Sequence, residues 1–142
     1  MITFFDTSVL LAAVWEDDPR HAASAKLINA GKPQQHATAL HCLAEFYATI
    51  TSLPPKLRVK PTEARQIVAG FQEQLRLVSL AEADYVAVVD QMAGAGIMGG
   101  AIYDALIARC AVQWGASRLY TWNLAHFTRF GGRIAAIAVQ PG

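Results

Sequence analysis

Five short strand-like runs recur along the chain, the first of them β-branched and aromatic, with helix-length stretches between each and the next. This alternation constrains the fold more than any other feature. The runs fall at residues 2–5, 36–39, 76–80, 117–121 and 134–139. Runs of this length bounded by turn residues predict strands. Between them, apolar periodicity predicts helices over 9–14, 19–30, 40–53, 62–74, 81–95, 101–114 and 124–130. Asp18 is placed as the cap of the second helix, with Pro19 in its first turn and Gly31 as its stop. Thr62 is placed as the cap of the fourth, after Pro54-Pro55 ends the third and a basic loop follows. Strand and helix alternating to the end predict an α/β fold, with a parallel sheet covered on both faces and joined by right-handed crossovers.

Size and composition narrow this further. A chain of 142 residues fits one domain spanning 1–142, long enough for a full core. Hydrophobic residues make up 54% and charged residues 16%, which argues against disorder and for some apolar surface that meets a partner. No apolar run approaches the ~20 residues of a membrane span. The N-terminus shows no basic region ahead of its apolar residues, so no signal peptide is expected. Cys42 and Cys110 lie inside apolar helical patterns. They read as buried thiols of a reducing cytoplasm, not as a disulfide framework or a zinc knuckle.

The net charge of +1 is uninformative, but its distribution is not. From Arg20 to Lys60 six basic residues face one acid, Glu45; from Gln91 onward four arginines face one acid, Asp104. Basic segments around a lone carboxylate suit a polyanion that approaches a metal, although each lysine taken singly reads as ordinary solvated charge.

Three carboxylates stand out against this background. Asp6 ends the first strand and is followed by Thr7, Ser8 and an apolar helix. Ligands of open α/β sheets bind outside the carboxyl ends of the strands, yet Asp6 also reads as a plain N-cap. Glu45 shares a helix face with His41, Thr49 and Ser52, which reads equally as the wet side. Asp104 sits in a helix that is apolar almost all round, with Gly100, Ala101 and Ala108 one turn away. Asp is a poor residue inside a helix, and its structural alternative is an ion pair with an arginine. Three carboxylates at one sheet edge repel one another strongly. A hard cation relieves this, and oxygen-only ligands indicate Mg²⁺ or Mn²⁺. Such a site hydrolyses phosphodiesters.

Four segments resemble the PIN domain, and within it the VapC toxins of bacterial type II toxin–antitoxin pairs. They are Phe-Asp-Thr-Ser-Val-Leu at the N-terminus, Glu45 in its helix, Gly-Gly-Ala-Ile-Tyr-Asp-Ala-Leu-Ile-Ala around Asp104, and Leu-Tyr-Thr-Trp-Asn-Leu-Ala-His-Phe at 119–127. They run in the family's order across essentially the whole chain. The resemblance implies a three-layer α/β/α sandwich with a five-stranded parallel sheet, and an Mg²⁺- or Mn²⁺-dependent endoribonuclease that acts on RNA. It further implies a homodimer and a cognate VapB-type antitoxin that blocks the site. By position Asp6, Glu45 and Asp104 match the acidic metal-site residues, Thr7 and Ser8 the hydroxyls that orient them, and Thr121 a supporting hydroxyl. One departure stands out. The family's fourth acid often falls where this chain has Asn123, which supplies a carbonyl oxygen without charge, and His126 follows one turn later.

Other acidic-pocket folds fit less well. A response-regulator receiver needs an acid pair at the first strand and a late lysine; Thr3–Phe5 carry no acid and the last lysine is Lys60. A haloacid-dehalogenase-type phosphatase needs a second Asp where Ser8 stands. The main alternative is a PIN-like module that binds RNA or protein without cutting it. Trp15, Trp114 and Trp122 are candidates for stacking on bases, with packing in the core or an interface the commoner use of each.

Overall fold

A computed structural model describes residues 2–142. The chain order is β1 (Thr3–Phe5), α1 (Thr7–Val14), α2 (His21–Asn29), β2 (His36–Ala39), α3 (Leu40–Thr51), α4 (Pro61–Gln74), β3 (Arg76–Val78), α5 (Glu82–Gly94), α6 (Ala101–Gln113), β4 (Arg118–Tyr120), α7 (Leu124–Thr128), α8 (Gly132–Ile137) and β5 (Ala138–Val139). The five strands form one parallel sheet in the order β3-β2-β1-β4-β5. β1 is central: Phe4 pairs with Ala37 on one side and Leu119 on the other. Its three residues are all buried, as a strand covered on both faces must be.

This order has a consequence for ligands. The chain moves outward from β1 to β2 and β3, then returns to lay β4 on the other side of β1. Right-handed crossovers therefore put α1–α4 on one face and α5–α8 on the other. Contacts follow that division: α1 meets α2 and α3, and α3 meets α4, while α6 meets α5, α7 and α8. The strand order reverses between β1 and β4, which run parallel, and the crevice at their carboxyl ends is where open sheets of this order bind ligands.

Phe4, Phe5, Val9, Leu10, Phe46, Phe71, Ile107, Leu119 and Phe127 anchor the main core. A smaller apolar cluster of Val88, Met92, Ala105 and Leu106 fixes α5 to α6. Gly31 is favoured by a close approach: a Cβ there would overlap the His36 ring.

The last element departs from expectation. Residues 134–137 are helical, and only Ala138 and Val139 pair with β4. Ile134 and Ile137 are three apart and turn to the core together. Gly131 starts this helix at φ 64°, a conformation natural only to glycine. Three helix starts also move. α2 begins at His21, and Asp18 instead accepts from the Arg20 amide at 2.8 Å and its guanidinium at 3.0 Å. α4 begins at Pro61 with Lys60 as its N-cap; proline suits the first turn because its missing N–H costs nothing there. α1 begins at Thr7, with Asp6 as its N-cap. β3 is shorter than expected and ends at Val78. α6 is not buried all round, since Tyr103 is 50% exposed and Val112 42%.

Candidate active site

Asp6 is both a cap and a buried carboxylate. It follows β1 directly, and its Oδ1 accepts from the Val9 amide at 3.3 Å and the Ser8 hydroxyl at 2.6 Å. Its Oδ2 accepts from the Thr121 hydroxyl at 2.6 Å. Both hydroxyls also accept, Ser8 Oγ from the Trp122 amide at 2.9 Å and Thr121 Oγ1 from the Asn123 amide at 2.9 Å. The turn after β4 is thereby buckled onto the end of β1. The Asp6 amide completes the join by donating to the Tyr120 carbonyl at 3.2 Å.

None of these donors is charged. Asp6 is 3% exposed, and among the described residues no basic side chain pairs with it. Burial pushes its pKa up to about 6, against the pull of the hydroxyls and the Val9 amide. A carboxylate oriented by neutral donors and left without a counter-charge is chemically suited to a hard cation.

Glu45 lies beside it across Thr7, whose hydroxyl donates to Glu45 Oε1 at 3.2 Å. Cys42 of α3 is fully buried nearby. Burial first, and the fields of Asp6 and Glu45 after it, push its thiol up to about 12, so it is inert as a nucleophile. One turn before Glu45, His41 brings Nε2 to 3.5 Å from Oε1 and makes no hydrogen bond there. Its ring stacks on Tyr103 at 5.3 Å and 12°, which ties α3 to α6 next to Asp104.

Asp104 stands in the first turn of α6 and faces α7. Its Oδ2 is 3.2 Å from Arg129 Nη2 and 3.5 Å from His126 Nδ1. Burial raises its pKa, while the charges of His126 and Arg129 pull it down. Thr7 thus links Glu45 to the end of β1, and Asp104 makes its contacts with the basic side chains of α7 and Arg129. No group of three His, Cys, Asp or Glu side chains among the described residues is drawn close enough to hold a metal. Asn123 precedes α7 as its N-cap, but its side chain makes no cap hydrogen bond. It lines a shallow surface cavity with Trp122, Ala125, His126 and Gln140. The sequence does not single out Arg129 or Tyr103. The i, i+3 spacing of His126 and Arg129 was the available signal for a basic face on α7.

The sequence profile of the PIN domain matches residues 3–131. The chain belongs to the PIN domain family. It is 34% identical over 116 residues to ribonuclease VapC40 of Mycobacterium tuberculosis, covering 80% of this chain and 81% of that protein. Its fold is similar to the crystal structure of M. tuberculosis VapC20, described as a sarcin-ricin loop cleaving toxin, at TM-score 0.72 and 17% identity over 91% of this chain and 95% of that one. It is also similar to VapBC2 from Rickettsia felis bound to a promoter DNA fragment, at TM-score 0.68, 19% identity and full coverage of both. These likenesses support the five-stranded three-layer α/β/α arrangement as a PIN fold. Within it, the Asp6 cage lies at the β1/β4 crevice.

Proposed function

We propose that this PIN domain is an endoribonuclease and the toxin of a VapBC-type toxin–antitoxin pair, working as a single domain in the cytoplasm. The observation that carries the reading is Asp6: a carboxylate fixed at the switch point of the sheet, oriented by two hydroxyls and an amide, with no basic side chain paired to it among the described residues. The likeness to ribonuclease VapC40 supports the activity. Among the described residues no helix is long and apolar enough to cross a membrane.

In this reading Asp6, Glu45 and Asp104 hold Mg²⁺ or Mn²⁺, with Asn123 alongside. The bound metal would acidify water and offset charge on the scissile phosphate. Ser8 and Thr121 keep the Asp6 oxygens aimed into the crevice, and Thr7 does the same for Glu45. Asp104 joins by turning from Arg129 and His126. The pocket also suits an antitoxin arginine, whose fork matches a carboxylate pair. The exposed apolar side chains Tyr85, Val86 and Val89 on α5 and Val112 on α6 are the surface proposed for a homodimer.

The test is cleavage of an RNA panel by wild type and Asp104→Asn with Mn²⁺ or EDTA. Cleavage is expected only for wild type with metal. Metal-independent cutting, or cutting by a purified Asp104→Asn protein, would remove the assignment. RNA binding without cleavage under every condition would favour the non-catalytic module.

A further inference from the structure

Arg129, just past α7, is held by one edge. Its Nε donates to the His126 carbonyl at 3.0 Å, and its Nη2 donates to Asp104 Oδ2 at 3.2 Å. The guanidinium lies 5.2 Å from the centre of the Phe130 ring. These contacts fix the plane of the fork. Its remaining donor, Nη1, makes no hydrogen bond among the described residues, and the side chain is 42% exposed. A rigid guanidinium edge therefore faces solvent beside the third acid of the site. An exposed pair with Asp104 contributes little to stability, so stability alone is a weak reason to hold a long side chain in one pose.

We propose that Arg129 is a backbone-binding residue for RNA, its free edge taking a phosphate next to the one that is cut. The proposal rests on the ribonuclease reading above. The chemistry is that of the planar fork, which matches two phosphate oxygens and is less strongly hydrated than an ammonium. The His126 carbonyl and the Phe130 ring orient it, and they still hold it when Asp104 turns to the metal. His126, 56% exposed and 3.5 Å from the same Asp104 oxygen, widens the basic lip.

The test uses the full chain, a fluorescein-labelled single-stranded RNA oligonucleotide of mixed sequence, and EDTA to prevent cutting. Anisotropy titrations over a salt series are run for wild type, Arg129→Ala and Arg129→Lys, with thermal melts of each. Loss of one charged hydrogen-bonding contact should weaken Arg129→Ala about tenfold. Its log-affinity against log-salt slope should flatten by about 0.7, one single-strand phosphate contact. Arg129→Lys should keep the slope and recover only part of the affinity, and all three proteins should melt alike. Wild-type affinity and slope in Arg129→Ala would overturn the proposal. So would a lowered melting temperature with an unchanged slope, which would make Arg129 only a tether between α7 and α6. Wild-type protein that binds RNA but never cleaves it with Mn²⁺ would overturn the ribonuclease reading alone. Cleavage by wild type with an unchanged slope in Arg129→Ala would overturn this assignment alone.

Discussion

Asp6 and Asp104 are assigned one role and sit in opposite surroundings. Asp6 ends the central strand, buried, with three neutral donors and, among the described residues, no basic side chain paired to it. Asp104 opens a helix, partly exposed, with two basic side chains at its Oδ2. Hydroxyls and amides orient a carboxylate but cannot cancel its charge. Asp6 is therefore left to bind a proton or a metal. Asp104 already has a counter-charge, carried on exposed side chains that can leave. Pairing on both sides of β1 fixes Asp6 in place, whereas the partners of Asp104 are exchangeable. In the proposed reading, Asp6 is a ligand fixed in place and Asp104 one that turns from its basic partners.

The harshest way to break this contrast is Asp6→Asn. Loss of supporting hydrogen bonds at a metal site typically costs 10–100-fold in activity, so losing the fixed ligand itself should cost more than about 100-fold. Stability should move the other way. With the folded pKa near 6 and the ordinary value at 3.8, the folded state holds the proton more tightly than the unfolded chain. In metal-free protein this favours folding fully below pH 4 and is lost as pH rises to 6. The full span is on the order of 3 kcal/mol. Melts in EDTA should show wild type losing stability across that window, while Asp6→Asn loses less and is the more stable protein above it. Parallel curves for the two would mean that Asp6 titrates normally. Asp104→Asn should abolish cleavage too, yet change metal-free stability by no more than about 1 kcal/mol, as expected for a partly exposed ion pair.

Thr121→Val sharpens the contrast by removing one bar of the Asp6 cage while keeping its shape. The Asn123 amide then loses its acceptor and Asp6 loses a donor. An unsatisfied buried group costs about 1–3 kcal/mol, and metal affinity should fall about 10–100-fold. Mn²⁺ titrations of cleavage, with melts alongside, read both effects. Wild-type metal dependence in this variant would show that orientation of Asp6 by hydroxyls is unimportant.

The two acids also differ in how they were read from sequence. Asp6 and Asp104 are legible because each interrupts an apolar context, and β1 because its apolar run is sharply bounded. Residues 134–137, Ile-Ala-Ala-Ile, suit a strand by content and a helix by the spacing of the two isoleucines. Only the turn at Gly131 and packing on the core decide between them. The partners of Asp104 were hidden for another reason. Arg129 lies 25 residues away, and nothing local reports that α7 folds back over α6. The neutral cage of Asp6 is half visible in Ser8, while the contribution of Thr121 comes only from the family's pattern.

Asn123→Ala carries the smallest expected effect and separates two uses of one side chain. As a helix cap, Asn123 would contribute typically ~1 kcal/mol. Its side chain makes no cap hydrogen bond, and its backbone amide, which the Thr121 hydroxyl accepts from, survives any substitution except proline. The melting free energy should therefore change by less than about 0.5 kcal/mol, as for a surface site without special contacts. Metal dependence is the readout that can move. If the amide oxygen helps hold the metal's waters, Asn123→Ala raises the Mn²⁺ concentration for half-maximal cleavage and leaves the rate at saturating Mn²⁺ near wild type. Asn123→Asp does the reverse: it adds an uncompensated charge at the Asp6 end of the crevice, lowers that concentration, and makes the metal-free protein less stable by like-charge repulsion. A cap would instead show a stability loss in Asn123→Ala with unchanged metal dependence. Unchanged stability and unchanged metal dependence in both variants would place Asn123 outside the site and leave Asp6, Glu45 and Asp104 to bind the metal unaided.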